Sequence, residues 1–234
     1  QADGCAWVSD TPVVIGVRTV QLATLPEFAG LGGAQTDLVR AGPKPEPASG
    51  ATPAQVQAMQ THWDGCRNGA AKDCTALGWI YDFADGVAAS MERAVALYKQ
   101  GCDGADAPGC TALGSMYEGG EGVEKSEKQA VALYKQGCDT GDARGCTELG
   151  TAYSRGIGVL QDDARALGLF KKGCDGGDSR GCLMLGVMYS NGEGVEASME
   201  RAVALYKRAC DGGDFKACAA LGSAYEYGDG GLPE

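Results

Sequence analysis

Residues 137–146 read "GCDTGDARGC": two cysteines separated by seven residues, with a Gly-Asp turn signal between them. The phrase returns as "GCDGADAPGC" at 101–110, "GCDGGDSRGC" at 173–182 and "ACDGGDFKAC" at 209–218. Cys66, Cys102, Cys138, Cys174 and Cys210 keep a constant spacing of 36 residues, and their partners Cys74, Cys110, Cys146, Cys182 and Cys218 keep the same period. The segment "SMERAVALYK" stands at both 90–99 and 198–207. A period of this length marks stacked supersecondary units.

Each period holds two helical patterns. Cys110, Leu113, Gly114 and Tyr117 fall on one face of a first helix, A; Ala130, Leu133, Tyr134 and Cys138 form the stripe of a second, B. Ser90, Ser126, Asp162 and Ser198 stand where helix B needs an N-cap, and Asp106, Asp142, Asp178 and Asp214 where helix A needs one. Gly120, Gly156 and Gly192 are placed to close helix A. Gly78, Gly114, Gly150, Gly186 and Gly222 lie inside helix A despite a cost of about 1 kcal/mol against alanine. That implies a neighbour in close approach. So short a pair cannot bury its stripe alone, and the expected fold is an all-α, α/α solenoid.

Bulk properties narrow the function. A formal charge of −11 argues against a nucleic-acid binder and against docking on anionic lipid. No apolar run approaches the length of a membrane span, so direct membrane insertion is not expected. The first residue is Gln1, and the last phrase, "YGDGGLPE", stops where its earlier copies enter another helix. The chain therefore reads as a piece of something longer.

The unit "LGSMYEGGEGVEKSEKQAVALYKQGCD" at 113–139 resembles a Sel1-like repeat, a relative of the tetratricopeptide repeat. With its paired cysteines it is similar to the Helicobacter cysteine-rich protein family. The resemblance covers residues 53–234: a capping helix at 53–68, repeats near 70–103, 106–139, 142–175 and 178–211, and a truncated one at 214–234.

Each cysteine pair joins the end of a helix B to the first turn of the next helix A. Zinc needs four ligands in one place, whereas successive pairs lie about 8–10 Å apart. The single histidine, His62, cannot serve five sites, and the Cys-x-x-Cys of redox catalysts is absent. Five disulfides are therefore expected. They place the protein in an oxidising compartment: secreted or periplasmic, or the mitochondrial intermembrane space if eukaryotic.

Residues 1–41 form a separate N-terminal segment, whose "PVVIGVRTVQLAT" at 12–24 reads as one or two short strands. Residues 42–52 read as a proline-rich linker. Thr52-Pro53 opens the capping helix, and Cys5 has no partner in the pattern.

Comparison of the repeats within the chain isolates four variable positions on helix A, sharing a face away from the buried stripe. Trp79 and Phe83 give that face an aromatic end. Arg144, Glu148, Arg155 and Arg180 give it a charged middle, and Met184 and Tyr227 lie further along. Helix A is expected to line a concave groove that takes a protein or peptide ligand.

No catalytic residue, metal or cofactor is assigned. Gly120-Glu121-Gly122 and Gly156-Ile157-Gly158 follow helices and lack the lysine of a phosphate loop. Glu118, Glu121, Glu124 and Glu127 do not follow a calcium-loop order. The cysteine-rich resemblance implies an alternative, a penicillin-binding protein with weak β-lactamase activity. Neither Ser-x-x-Lys, Ser-Asp-Asn nor Lys-Thr-Gly occurs to carry it. Heme, implied by a mitochondrial relative, ranks last, because no histidine repeats. The preferred reading is an exported, disulfide-stapled scaffold.

Overall fold

A computed structural model describes residues 42–226. Ten helices follow one another: α1 (Pro53–Arg67), α2 (Ala71–Asp82), α3 (Met91–Asp103), α4 (Ala107–Gly119), α5 (Glu127–Asp139), α6 (Ala143–Arg155), α7 (Asp163–Asp175), α8 (Ser179–Asn191), α9 (Met199–Asp211) and α10 (Phe215–Glu226). Even numbers are A helices, and odd numbers are B helices, with α1 in the B position. No strand occurs among the described residues. The expected strands at 12–24, Cys5 and Tyr227 lie outside them.

Local chemistry sets the helix ends. Ser90, Ser126, Asp162 and Ser198 each accept a hydrogen bond from the third backbone N–H of the helix they open. Thr52 and Gln55 form a reciprocal capping box on α1. Asp142, Asp178 and Asp214 cap their A helices through the side chain. Asp106 does not: it makes no such bond, and Pro108 at the second position of α4 has no N–H to offer. Gly120, Gly156 and Gly192 end α4, α6 and α8 in the left-handed conformation, at φ 76°, 69° and 73°.

Packing follows the repeat. Each of α3, α5, α7 and α9 lies against the A helix before it and the A helix after it, and α1 lies against α2. The interior glycines of the A helices admit an aromatic ring from helix B. A Cβ on Gly78, Gly114, Gly150 or Gly186 would stand 2.6–2.8 Å from the ring of Tyr98, Tyr134, Phe170 or Tyr206. The close approach expected of these residues is thus a glycine-on-ring contact.

Five disulfides join Cys66–Cys74, Cys102–Cys110, Cys138–Cys146, Cys174–Cys182 and Cys210–Cys218, with Cα separations of 4.4–4.6 Å. Each ties the end of a B helix to the first turn of the next A helix.

The stretch read as a linker is packed onto the solenoid. Pro45 is buried, Pro47 bridges to Val87, and Ala48 N–H donates to the Gly86 carbonyl at 2.8 Å. Leu97 on α3 borders the cleft at Gly42-Pro43 and is 3 % exposed, whereas its counterparts Leu133 and Leu205 are only half-buried. Proline-rich composition identified a non-helical stretch, but did not reveal the apolar surface it contacts.

Candidate ligand-binding face

The sequence-selected side chains fall into two groups. Trp79 in the last turn of α2 and Phe83 at its C-cap are 41 % and 75 % exposed and stand outside the core. With Ala58 and His62 of α1, and Ala76, Ile80, Ala84 and Asp85, they line an open cleft of about 750 Å³. His62 Nδ1 lies 2.8 Å from Asp73 Oδ1, which fixes the ring at the cleft's edge.

The second group spans α6 and α8. Arg180 Nη1 donates to Glu148 Oε1 at 2.5 Å, and Arg144 Nε stands 4.0 Å from the same oxygen. Glu148 is 11 % exposed at its side chain, while both arginines reach solvent. Burial pushes the Glu148 carboxyl above the ordinary glutamate range, against the pull of Arg180 and then Arg144. The variable face is therefore linked between neighbouring A helices by a charged contact.

Met184 and two further variable positions of helix A, Ala112 and Thr151, are less exposed than expected of that face. Met184 is half-buried and packs against the cluster formed by Ala166, Phe170, Leu185 and Met188, so it belongs partly to the core. Thr151 and Ala112, on the face expected to point away from the buried stripe, are buried at 6 % and 9 % exposure. Neighbouring A helices approach closely enough to cover the middle of that face, which one helix's periodicity cannot show. Arg155 sits exposed in the last turn of α6, where a cation suits the helix dipole.

Sequence reading overlooked Ala58 and His62 as members of the cleft. Their signal lay in the register: one period before Ala94 and Tyr98 stand Ala58 and His62. It also overlooked Arg93, Arg165 and Arg201, which lie over the rings of Tyr81, Tyr153 and Tyr189 at 5.3–5.4 Å. Among the described residues no group of three or more His, Cys, Asp or Glu is arranged to hold a metal. No described helix is long and apolar enough to cross a membrane.

Comparison with known proteins bears on the same geometry. The Sel1 repeat family model matches residues 71–106, 107–142, 143–178, 179–214 and 215–234. The chain belongs to the Sel1 repeat family. Four of its disulfides cross the boundary between consecutive Sel1 units, and the fifth ties α1 to the first unit. Among solved structures it is similar to a Sel1 repeat protein from Oxalobacter formigenes, at 27% identity and a TM-score of 0.71, covering 77% of this chain and 71% of that one. It is also similar to a protective antigen of uropathogenic Escherichia coli strains that displays an SLR fold. The identity there is 27% and the TM-score 0.65, over 76% of this chain and 38% of the antigen. Helicobacter pylori cysteine rich protein B aligns at 29% identity with a TM-score of 0.46, over 56% of this chain and 94% of that protein. No curated protein matches the chain. Sel1 repeats are protein-interaction modules, and five disulfides suit an oxidising, extracytoplasmic compartment.

Proposed function

We propose that this Sel1 repeat protein is an exported scaffold, secreted or periplasmic, whose A helices line a groove for a protein or peptide ligand. The observation that carries the reading is the exposure of Trp79 and Phe83 beside an open cleft. Large aromatics left outside a core are the usual anchors of an interface. Arg144, Glu148, Arg155 and Arg180 supply the charged stretch that would orient the ligand, with Met184 and Tyr227 further along. The five disulfides hold the groove rigid, which limits the ordering cost of binding. The penicillin-binding alternative gains no support from the described residues or from the matched structures.

Simultaneous Trp79→Ala, Phe83→Ala, Arg144→Ala and Arg180→Ala substitution tests the groove. Affinity capture from the native envelope or medium should retain a partner on the wild-type protein and lose it on the variant, with helicity by circular dichroism unchanged. Equal capture by both proteins would refute the groove. Nitrocefin turnover above an albumin blank would instead favour the hydrolase.

A further inference from the structure

The two kinds of helix treat charge differently. The B helices follow the helix dipole: α3, α5, α7 and α9 carry Glu92, Glu127, Asp163 and Glu200 in the first turn. The A helices break that rule. Lys72, Arg144, Arg180 and Lys216 stand at the second position of α2, α6, α8 and α10, where a cation opposes the positive end of the dipole. No acidic residue shares the first turn of α6, α8 or α10. Helix stability therefore does not account for these cations. Only α4 departs, with Pro108 at the same position.

The four cations share one register at intervals of one or two periods, so they form a column down the stack. Neighbouring A helices also contact each other directly. With Arg155, the A-helix face holds five cations against one carboxylate, Glu148, in a chain whose formal charge is −11. Carboxylates on the same helices and their caps have partners of their own. Asp142, Asp178 and Asp214 accept from backbone N–H groups of the helices they open. Asp82 and Glu118 accept from the hydroxyls of Tyr98 and Tyr134. Glu148 Oε1, at 2.5 Å from Arg180 and 4.0 Å from Arg144, ties α6 to α8 while both guanidiniums stay open to solvent.

We propose that the ligand of this groove is an acidic segment in extended conformation, laid along the repeat axis with its carboxylates on Arg144, Arg180 and Lys216. The proposal rests on the groove reading and names the ligand class. A guanidinium has five N–H donors, so Arg180 keeps donors for the ligand beyond the one given to Glu148. Helices in contact stand about 8–10 Å apart, and an extended chain rises about 3.3 Å per residue. Carboxylates three residues apart therefore meet one cation per repeat, whereas contiguous carboxylates do not.

Fluorescence anisotropy on the full oxidised chain tests this with three labelled peptides: Glu-Gly-Ser-Glu-Gly-Ser-Glu, Glu-Glu-Glu-Gly-Ser-Gly-Ser and Lys-Gly-Ser-Lys-Gly-Ser-Lys. Titrated across about 1 µM to 1 mM, the spaced glutamate peptide should bind at least about threefold tighter than the contiguous one, and the lysine peptide should not bind. Raising the salt from about 50 to 500 mM should weaken the complex. Arg144→Ala with Arg180→Ala should cost at least about tenfold in affinity, the loss expected for a charge-assisted hydrogen bond. Arg180→Glu, a surface change that should keep the helicity, should weaken the spaced glutamate peptide further than Arg180→Ala does. Lys128→Ala, at an exposed position of α5, should bind as the wild type does. No binding of the spaced glutamate peptide, equal affinity for the two glutamate peptides, or indifference to Arg144 and Arg180 overturns the proposal. If the glutamate peptides fail while Trp79→Ala with Phe83→Ala still abolishes capture of the native partner, the groove stands and the acidic ligand falls.

Discussion

Gly150 and Gly168 sit in adjacent helices, yet alanine has opposite consequences at the two positions. A Cβ on Gly150 would stand 2.8 Å from the Phe170 ring, which is 0 % exposed and has nowhere to move. Gly150→Ala should lower stability by about 1–3 kcal/mol, the cost of overpacking a tight core. A Cβ on Gly168 meets nothing within 4 Å, so Gly168→Ala should raise stability by up to about 1 kcal/mol through helix propensity. Urea midpoints of the two variants check both signs. The same steric logic explains a concerted change along the chain. Thr111 crowds Gly137 and Gly145, and Thr147 crowds Gly173 and Gly181, with Oγ1 2.2–2.7 Å from the absent Cβ positions. One repeat later the threonine is Leu183 and the two glycines are Ala209 and Ala217, all buried. Tyrosine hydroxyls bind a carboxylate in the first two repeats. Tyr98 donates to Asp82 at 2.7 Å and Tyr134 to Glu118 at 2.6 Å. The acceptor position holds Ser154 where the ring is Phe170, but also Ser190 where it is Tyr206, so the carboxylate is confined to the first two of these pairs.

Pairs of helices carry their own electrostatics. Glu148 on α6 is held above its ordinary pKa, first by burial and against Arg180 and Arg144. The folded protein therefore binds a proton more readily at this site than the unfolded chain does. The associated stability is complete below the ordinary glutamate pKa and is lost as pH rises through the folded value. Glu148→Gln removes that loss, so the variant's stability relative to wild type should rise from acid toward neutral pH. Denaturant midpoints at several pH values measure the difference. Arg180 is 48 % exposed and loses little when its partner is neutral. A variant that weakened steadily toward neutral pH would show the ion pair outweighing the burial. Another inter-helix device closes α7: Arg208 on α9 donates to the Cys174 carbonyl at 2.7 Å and reaches Asp175 at 3.4 Å. The Cys174 carbonyl already accepts from Gly177 N–H at 3.0 Å, so the guanidinium is its second partner, and a cation there suits the helix dipole.

Across the whole molecule the repeats contact only their neighbours, so stability is close to a sum of units and junctions. The disulfides act at the junctions. Closing a loop of about nine residues contributes roughly 2.5 kcal/mol on the chain-entropy account, and five give an upper bound near 12 kcal/mol. That rivals the stability of an ordinary domain. Its weight is greater here because many of the buried core residues are alanines, which contribute little apolar surface each. Reduction should therefore lower the thermal midpoint sharply and broaden the transition as the units uncouple. Circular dichroism melts with and without reductant measure this. Thiol-blocking reagent applied before reduction should leave the ten paired cysteines unlabelled by intact mass, and labelling at those positions would contradict the stapled fold.

The helical solenoid, the disulfide pairing and most of the caps were legible in the residues, because each depends on chemistry within one period. A cysteine eight positions from its partner, a serine before an apolar stripe and a glycine after one act locally, whatever surrounds them. The same period even located the interior glycines, though not the rings that fill them. Other features needed three dimensions because they arise between units. Met184 and Thr151 are withdrawn from solvent by adjoining helices, and Glu148 meets an arginine 32 residues away. Ala58 and His62 of α1 meet Trp79 and Phe83 in one cleft only in the folded solenoid. Burial is a property of what packs against a residue, and a single strip of sequence specifies a helix's face without specifying what stands opposite it.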